Sequence, residues 1–417
     1  MYKPRHADEL IQRRLNSIGA VVLEGARGTG KTRTGRYHAK SFVYVDRELD
    51  RLPMLADVAE QLIQGDVPRL VDEWQVLPKL WNVIRREVDE RDTHGQFILT
   101  GSAVPQDSVT RHTGVGRFSR IRMRPMSLSE MYGVPTSFRF VDLLDSTLEA
   151  GGISELQLDD LIAVMLAGGW PGNYTGTMDS RIQWVRDYFD ELTRVELAQF
   201  EVTQRRRDPQ KIARVLRSIA RNVGSPANEA TLMRDVAEIN ESASRNTVSA
   251  YTEVLRRVMI LEEVPSWRPH LRSRATLRTA PKRYFVDPSL AAAALQAGFN
   301  ELRTDLEFTG LLFENLVLRD LLTLAQNHGA SVSFYRDSNG LEVDAIIEAP
   351  SGEWFAVEIK LGQSSVDRAA SNLLKLADRI DLNMMQPPSS LVVITGWGVS
   401  HTRADGVHVI PYSCLGL

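Results

Sequence analysis

The 417-residue chain contains a single cysteine, Cys414, so it can form no internal disulfide and offers no cysteine-based zinc site. Long apolar runs are missing too. The longest, near 290–299 (LAAAALQAGF), falls far short of the roughly 20 residues that span a bilayer. The opening segment MYKPRHADELIQRRL is charged and helix-like, without the apolar centre of a secretory signal. No repeat, heptad pattern or low-complexity tract interrupts the chain, and its eight histidines show no metal-ligand spacing. His94, His112 and His270 read as surface residues. These absences predict a soluble, cytoplasmic protein with no membrane partner.

What is present is an ordinary globular composition, 43% apolar and 25% charged, over a length that predicts two to four domains. Net charge is only −3 but unevenly spread. Residues 205–283 hold 17 Lys and Arg against 8 Asp and Glu, whereas 301–417 hold 8 against 15. A basic middle beside an acidic tail suits a segment facing a polyanion and another holding metal. Arginine-rich helices also serve as plain solvated faces.

Near the amino end, VVLEGARGTGKT (21–32) is an apolar strand running into G-x-x-x-x-G-K-T. Glycines there let backbone N–H groups and a helix N-terminus wrap phosphate. Gly25, Gly28, Gly30, Lys31, Thr32 and Arg33 are the candidate ATP-binding residues, with Lys31 reaching the β- and γ-phosphates and Thr32 on Mg²⁺. About forty residues on, PRLVDEWQ (68–75) brings Asp72 and Glu73 to the carboxyl end of a short strand, where ligands bind in open α/β sheets. Asp72 is expected to hold Mg²⁺ through water, and Glu73 to orient and deprotonate the attacking water. QFILTGS (96–102) ends in Thr100 and Ser102, either of which suits the γ-phosphate or that water. The run 111–130 supplies five arginines in its first fourteen residues. Arg117, and after it Arg111, are candidates to stabilise the transferred phosphoryl group of a neighbouring subunit, although a basic strand face accounts for either.

DEWQ, LTGS, GVGR followed by RPMSLSE, and AGGWPGNY (167–174) occur here in an order that resembles a family of bacterial and archaeal AAA-type P-loop ATPases. The resemblance covers nearly the whole chain. It implies an AAA core, a helical lid, a winged-helix segment and a terminal nuclease-like domain long labelled as of unknown function. One departure is Arg69, where the strand before Asp72 usually carries an apolar residue.

Residues 150–222 read as helical, and Gly168–Gly169 before Trp170–Pro171 form a turn placed near the nucleotide or a subunit border. Lys211, Arg214, Arg217 and Arg221 follow at helical spacing. Segments 228–239 and 244–260 read as helix–turn–helix, followed by a hairpin with a basic loop, which is a winged-helix arrangement. Arg245, Arg256, Arg268, Arg272 and Arg274 are the candidate contacts to DNA, mostly to phosphate. Winged helices also act as lids or subunit contacts.

The last segment reads as mixed α/β, with a helix at 307–326 and strands at 331–337, 340–349, 353–362, 390–395 and 406–411. Asp344 alternates with apolar neighbours, and a PSG turn folds the strand of Glu358 and Lys360 back beside it. Two carboxylates suit Mg²⁺ or Mn²⁺, Glu314 on the preceding helix is a candidate third, and Lys360 is a candidate catalytic lysine. This D…E-x-K pattern resembles the PD-(D/E)xK nuclease superfamily of restriction enzymes and archaeal Holliday-junction resolvases. Domains of that shape either cleave DNA or only grip it.

The expectation is therefore an α/β chain in four parts: an AAA parallel-sheet core (1–140), a helical lid (141–222), a winged helix (223–298) and a nuclease-like domain (299–417). Its expected role is a Mg²⁺-dependent ATPase that remodels or translocates branched or duplex DNA as a homo-oligomer, a hexamer for example. The alternatives are an ATP-driven switch with a protein-binding carboxy-terminal domain and a sensor of DNA structure.

Overall fold

The computed structural model describes residues 2–48, 59–101, 114–133, 137–148, 151–196, 209–226, 231–232, 234, 245–269 and 280–416. The chain divides into two compact units, one from 1–126 with 170–172 and 257–259, the other from 127–169, 173–256 and 260–417.

The first unit is built on five parallel strands, β1 (Ala20–Glu24), β2 (Ser41–Tyr44), β3 (Arg69–Asp72), β4 (Phe97–Gly101) and β5 (Phe118–Arg122), in the order β2-β3-β4-β1-β5. Strand β4 is buried along its whole length and β1 everywhere but Glu24, as expected where both faces of a parallel sheet are covered. Alternate residues divide between the faces. Val22, Val71 and Leu99 join a core with Trp81 and Ile84 of the helix α3 (Lys79–Arg91). Val21, Leu70 and Ile98 pack with Leu10 and Ile11 of the helix α1 (Ala7–Leu15). Between β1 and the helix α2 (Lys31–His38) lies the glycine loop. The unusual Arg69 is used in full: its guanidinium donates to the Leu62 carbonyl at 2.9 Å and to Ser41 Oγ at 2.9 Å, tying β3 to its surroundings.

In the second unit, the helices α4 (Leu158–Ala167), α5 (Met178–Glu191), α6 (Pro209–Arg221) and α7 (Arg245–Arg257) precede an antiparallel pair, β6 (Leu261–Val264) and β7 (Lys282–Phe285). Gly168 ends α4 in the left-handed region. Most of the first expected helix–turn–helix element, 228–239, and the loop 270–279 with Arg272 and Arg274 lie outside the described residues.

After α8 (Pro288–Leu295) comes the 23-residue helix α9 (Leu306–His328) and a mixed sheet. Its strands are β8 (Ser331–Arg336), β9 (Glu342–Glu348), β10 (Trp354–Lys360), β11 (Ser390–Thr395), β12 (His401–Thr402) and β13 (His408–Pro411), in the order β8-β9-β10-β11-β13-β12. Strand β10 is antiparallel to β9 and parallel to β11, and it is buried from Trp354 to Ile359. The helix α10 (Val366–Ala377) buries Ala369, Ala370, Leu373 and Leu376 against Ile346, Ala356 and Val393. On α9, the Arg319 guanidinium bonds Asp287 at 2.7 Å and Asp320 at 2.8 Å, with both partners buried.

Candidate functional sites: a glycine-cradled pocket and a carboxylate cluster

The first site lies at the carboxyl ends of the parallel strands. A hollow of about 630 Å³ is lined by Arg27, Gly28, Gly30, Lys31, Thr32, Arg33, Asp46 and Glu73, with Pro171 and Gly172 beside them. Gly28 and Gly30 are left-handed, at φ 79° and 94°. Gly25 has no room for a side chain, since a Cβ there would lie 2.2 Å from the Met123 carbonyl oxygen. The Lys31 ammonium donates to the carbonyls of Gly25 and Ala26, each at 2.8 Å, and so lies back across the loop. Arg5 braces the loop with bonds to the Thr29 carbonyl at 2.8 Å and the Arg124 carbonyl at 2.7 Å. Nothing in the motif pointed to Arg5, because it lies some twenty residues before the loop.

Asp72 is buried at the end of β3, where the Thr100 hydroxyl on β4 donates to it. Thr100 thus positions the acid. Glu73 stands on the pocket rim with left-handed backbone (φ 54°, ψ 42°), strained for a residue with a side chain, and accepts a hydrogen bond from Gln75. Arg117 is exposed and pairs with Asp89 at 2.8 Å. Ser102 and Arg111 lie outside the described residues.

This donor set fits a nucleotide with Mg²⁺: a left-handed glycine loop for phosphate, an ammonium, a hydroxyl at a helix start, and two acids at strand ends.

Of the DNA candidates, Arg256 is committed to Glu253 and to Glu263, the latter at 3.2 Å, while Arg268 is exposed. The side chains of Arg245, Arg272 and Arg274 lie outside the described residues.

The second site gathers Asp344, Glu358 and Lys360, as residues on paired strands should, with Glu314 of α9 reached through Lys282, and it involves five residues that the pattern did not include. Lys360 Nζ lies 2.9 Å from Asp344 Oδ2 and 2.5 Å from Glu358 Oε2. The Ile359 N–H also donates to Asp344 Oδ2, at 2.8 Å, and Asn372 Nδ2 to Glu358 Oε1, at 3.1 Å. Lys282 of β7, its side chain 1% exposed, is 2.7 Å from Glu342, 3.3 Å from Glu314 and 3.8 Å from Asp344. Two residues further along β7, the Tyr284 hydroxyl donates to Glu314 Oε1 at 2.5 Å. The only signal for these two residues was the alternation Lys282–Tyr284 on a short strand.

Burial pushes Glu358 up to about 8, with the Asp344 charge adding to it and Lys360 opposing. Burial would raise Asp344 as well, but the ammoniums of Lys360 and Lys282 overcome it and bring the group to about 2. Burial likewise raises Glu314, against the pull of Lys282. Among the described residues, no group of three or more His, Cys, Asp or Glu side chains is arranged to hold a metal ion. As placed, the expected metal ligands do not fit Mg²⁺ or Mn²⁺, because ammonium groups occupy their oxygens.

Residues 17–132 match the profile of an AAA domain, 158–301 that of a domain of unknown function (DUF8612), and 309–415 that of another (DUF4143). The uncharacterized proteins Rv2008c of Mycobacterium tuberculosis and Mb2031c of Mycobacterium bovis are each 25% identical over 363 residues, 85% of this chain and 73% of theirs. Among solved structures, a DNA replication initiation factor is 12% identical over 61% of this chain and 90% of its own, with a TM-score of 0.27. The Aeropyrum pernix ORC1 protein in complex with DNA is 13% identical over 71% and 94%, also at 0.27. No described helix is long and apolar enough to cross a membrane. The profile match, the parallel sheet and the glycine-cradled pocket agree on an AAA domain with a phosphate-binding loop over residues 17–132.

Proposed function

We propose that the protein is a Mg²⁺-dependent AAA-type ATPase that works on DNA as a homo-oligomer, a hexameric ring for example, with the four-part division expected above. The observation that carries the ATPase reading is the hollow whose rim presents Lys31, Thr32 and Glu73 around left-handed Gly28 and Gly30. In this reading Lys31 leaves the Gly25 and Ala26 carbonyls for the β- and γ-phosphates, and backbone N–H groups of the loop hold the remaining oxygens. Thr32 and Asp72 would hold Mg²⁺, which when bound would offset phosphate charge. Glu73, steadied by Gln75, takes the proton of the attacking water. Arg117, surface-placed and oriented by Asp89, serves the pocket of a neighbouring subunit.

Support for DNA comes from the positive balance of residues 205–283 and from the exposed Lys211, Arg221, Arg234 and Arg268 in that stretch. Since Arg256 is spent on acids and Lys282 is buried, contact is to phosphate and sequence-independent. The carboxy-terminal domain grips DNA and does not cut it, a reading supported by the two lysines that occupy its carboxylates.

ATP turnover of wild type, Lys31→Ala and Glu73→Gln, together with duplex and four-way DNA binding across a salt series, tests this. Turnover should vanish in both variants, and DNA affinity should fall steeply with salt. Unchanged turnover in Lys31→Ala, or no DNA binding at low salt, overturns the corresponding half.

A further inference from the structure

The carboxylate cluster of the second unit is neutralised by a side chain that the catalytic pattern does not include. Lys282 lies on β7, one strand of the antiparallel pair that precedes the mixed sheet, and reaches acids from two other elements, Glu314 on α9 and Glu342 and Asp344 on β9. Tyr284, on the same face of β7, fills a second acceptor position on Glu314. From the other side, Lys360 and the Ile359 N–H take Asp344 Oδ2. Lys282 Nζ therefore lies 3.3 Å from Glu314 and 3.8 Å from Asp344, two of the three carboxylates expected to hold an ion.

A divalent ion of the Mg²⁺ or Mn²⁺ type needs about six oxygen ligands at about 2.0–2.2 Å with few protons among them. An ammonium 3.3 Å from Glu314 and 3.8 Å from Asp344 opposes such an ion by volume and by charge. The base of Lys282 is fixed by strand pairing with β6 (Val264↔Lys282), and its side chain is buried, so the ammonium has no adjoining solvent to turn into.

We propose that Lys282 is the resident cation of this centre, standing where a divalent metal would sit, and that the β6–β7 pair keeps the centre closed to metal. The inference is independent of the ATPase reading, since every group in it lies in the second unit and none lines the nucleotide pocket.

Mn²⁺ binding to the full chain without nucleotide, read from the loss of the free-ion electron-spin-resonance signal, tests it in wild type, Glu358→Gln, Lys282→Met and Lys282→Met/Asp344→Asn. Wild type and Glu358→Gln should bind Mn²⁺ alike. Lys282→Met should gain one ion per chain, bound roughly tenfold or more tighter than anything in wild type. The double variant should lose it again. One ion per wild-type chain that Glu358→Gln weakens or abolishes overturns the proposal, as does a folded Lys282→Met that gains none. Should Lys282→Met fail to fold, the pair of wild type and Glu358→Gln still decides: equal Mn²⁺ binding supports closure, and binding that depends on Glu358 refutes it.

Discussion

Glu73 shows how much a single residue concentrates at the nucleotide pocket. Its left-handed backbone costs about 1–3 kcal/mol, yet it sets the carboxylate on the rim within reach of Gln75. Glu73→Gln keeps this geometry and removes only the proton acceptor, so nucleotide binding should survive while turnover drops about 10²–10⁴-fold. Equal losses in binding and turnover would instead make Glu73 a structural residue. Gly25 gives a complementary test. With φ 156° and a Met123 carbonyl 2.2 Å from its missing Cβ, Gly25→Ala should lower the melting temperature of the first unit and abolish nucleotide binding. A variant as stable and as active as wild type would mean that the loop has another conformation.

At the scale of elements, the carboxylate cluster links pH to stability. The native Glu358 carboxyl, pushed up to about 8, keeps its proton where the unfolded chain has lost it. Stability of the second unit should therefore fall as pH rises from about 5 to about 8, and Glu358→Gln should flatten that slope. Urea midpoints across this range measure it, and an equal slope in both proteins contradicts the assignment. Arg319 is a second linchpin, joining α9 to Asp287 beside α8. Arg319→Ala should cost about 3–5 kcal/mol, because it strands two buried acids.

Much of this architecture was legible because it follows short-range rules. The apolar strands read from residue 21 and at 96–102 appear as Ala20–Glu24 and Phe97–Gly101, and the alternation around Asp344 lies on a strand as expected. The carboxylate pair and its lysine meet because residues two apart on a strand share a face, a rule that needs no tertiary information. What was not legible depends on distant pairing. Arg5 beneath the glycine loop, Thr100 turned to Asp72, and Lys282 among the acids are each set by segments 24, 28 and 32 or more residues away. A lysine on a short strand carries no mark that says it will be buried. Charge summed along the sequence does not separate free cations from paired ones, since Lys282 is buried among acids and the exposed Arg256 pairs with Glu253 and Glu263.

In the whole molecule the nucleotide pocket lies in one compact unit and the basic and carboxylate features in the other, and the proposed function requires coupling between them. The most direct measurement is ATP turnover with single-stranded, nicked, forked and four-way DNA at low and moderate salt. The account predicts that at least one of these DNAs raises turnover in wild type, that added salt removes the increase, and that Glu73→Gln shows none. Turnover that is robust yet identical with and without every one of these DNAs would contradict it.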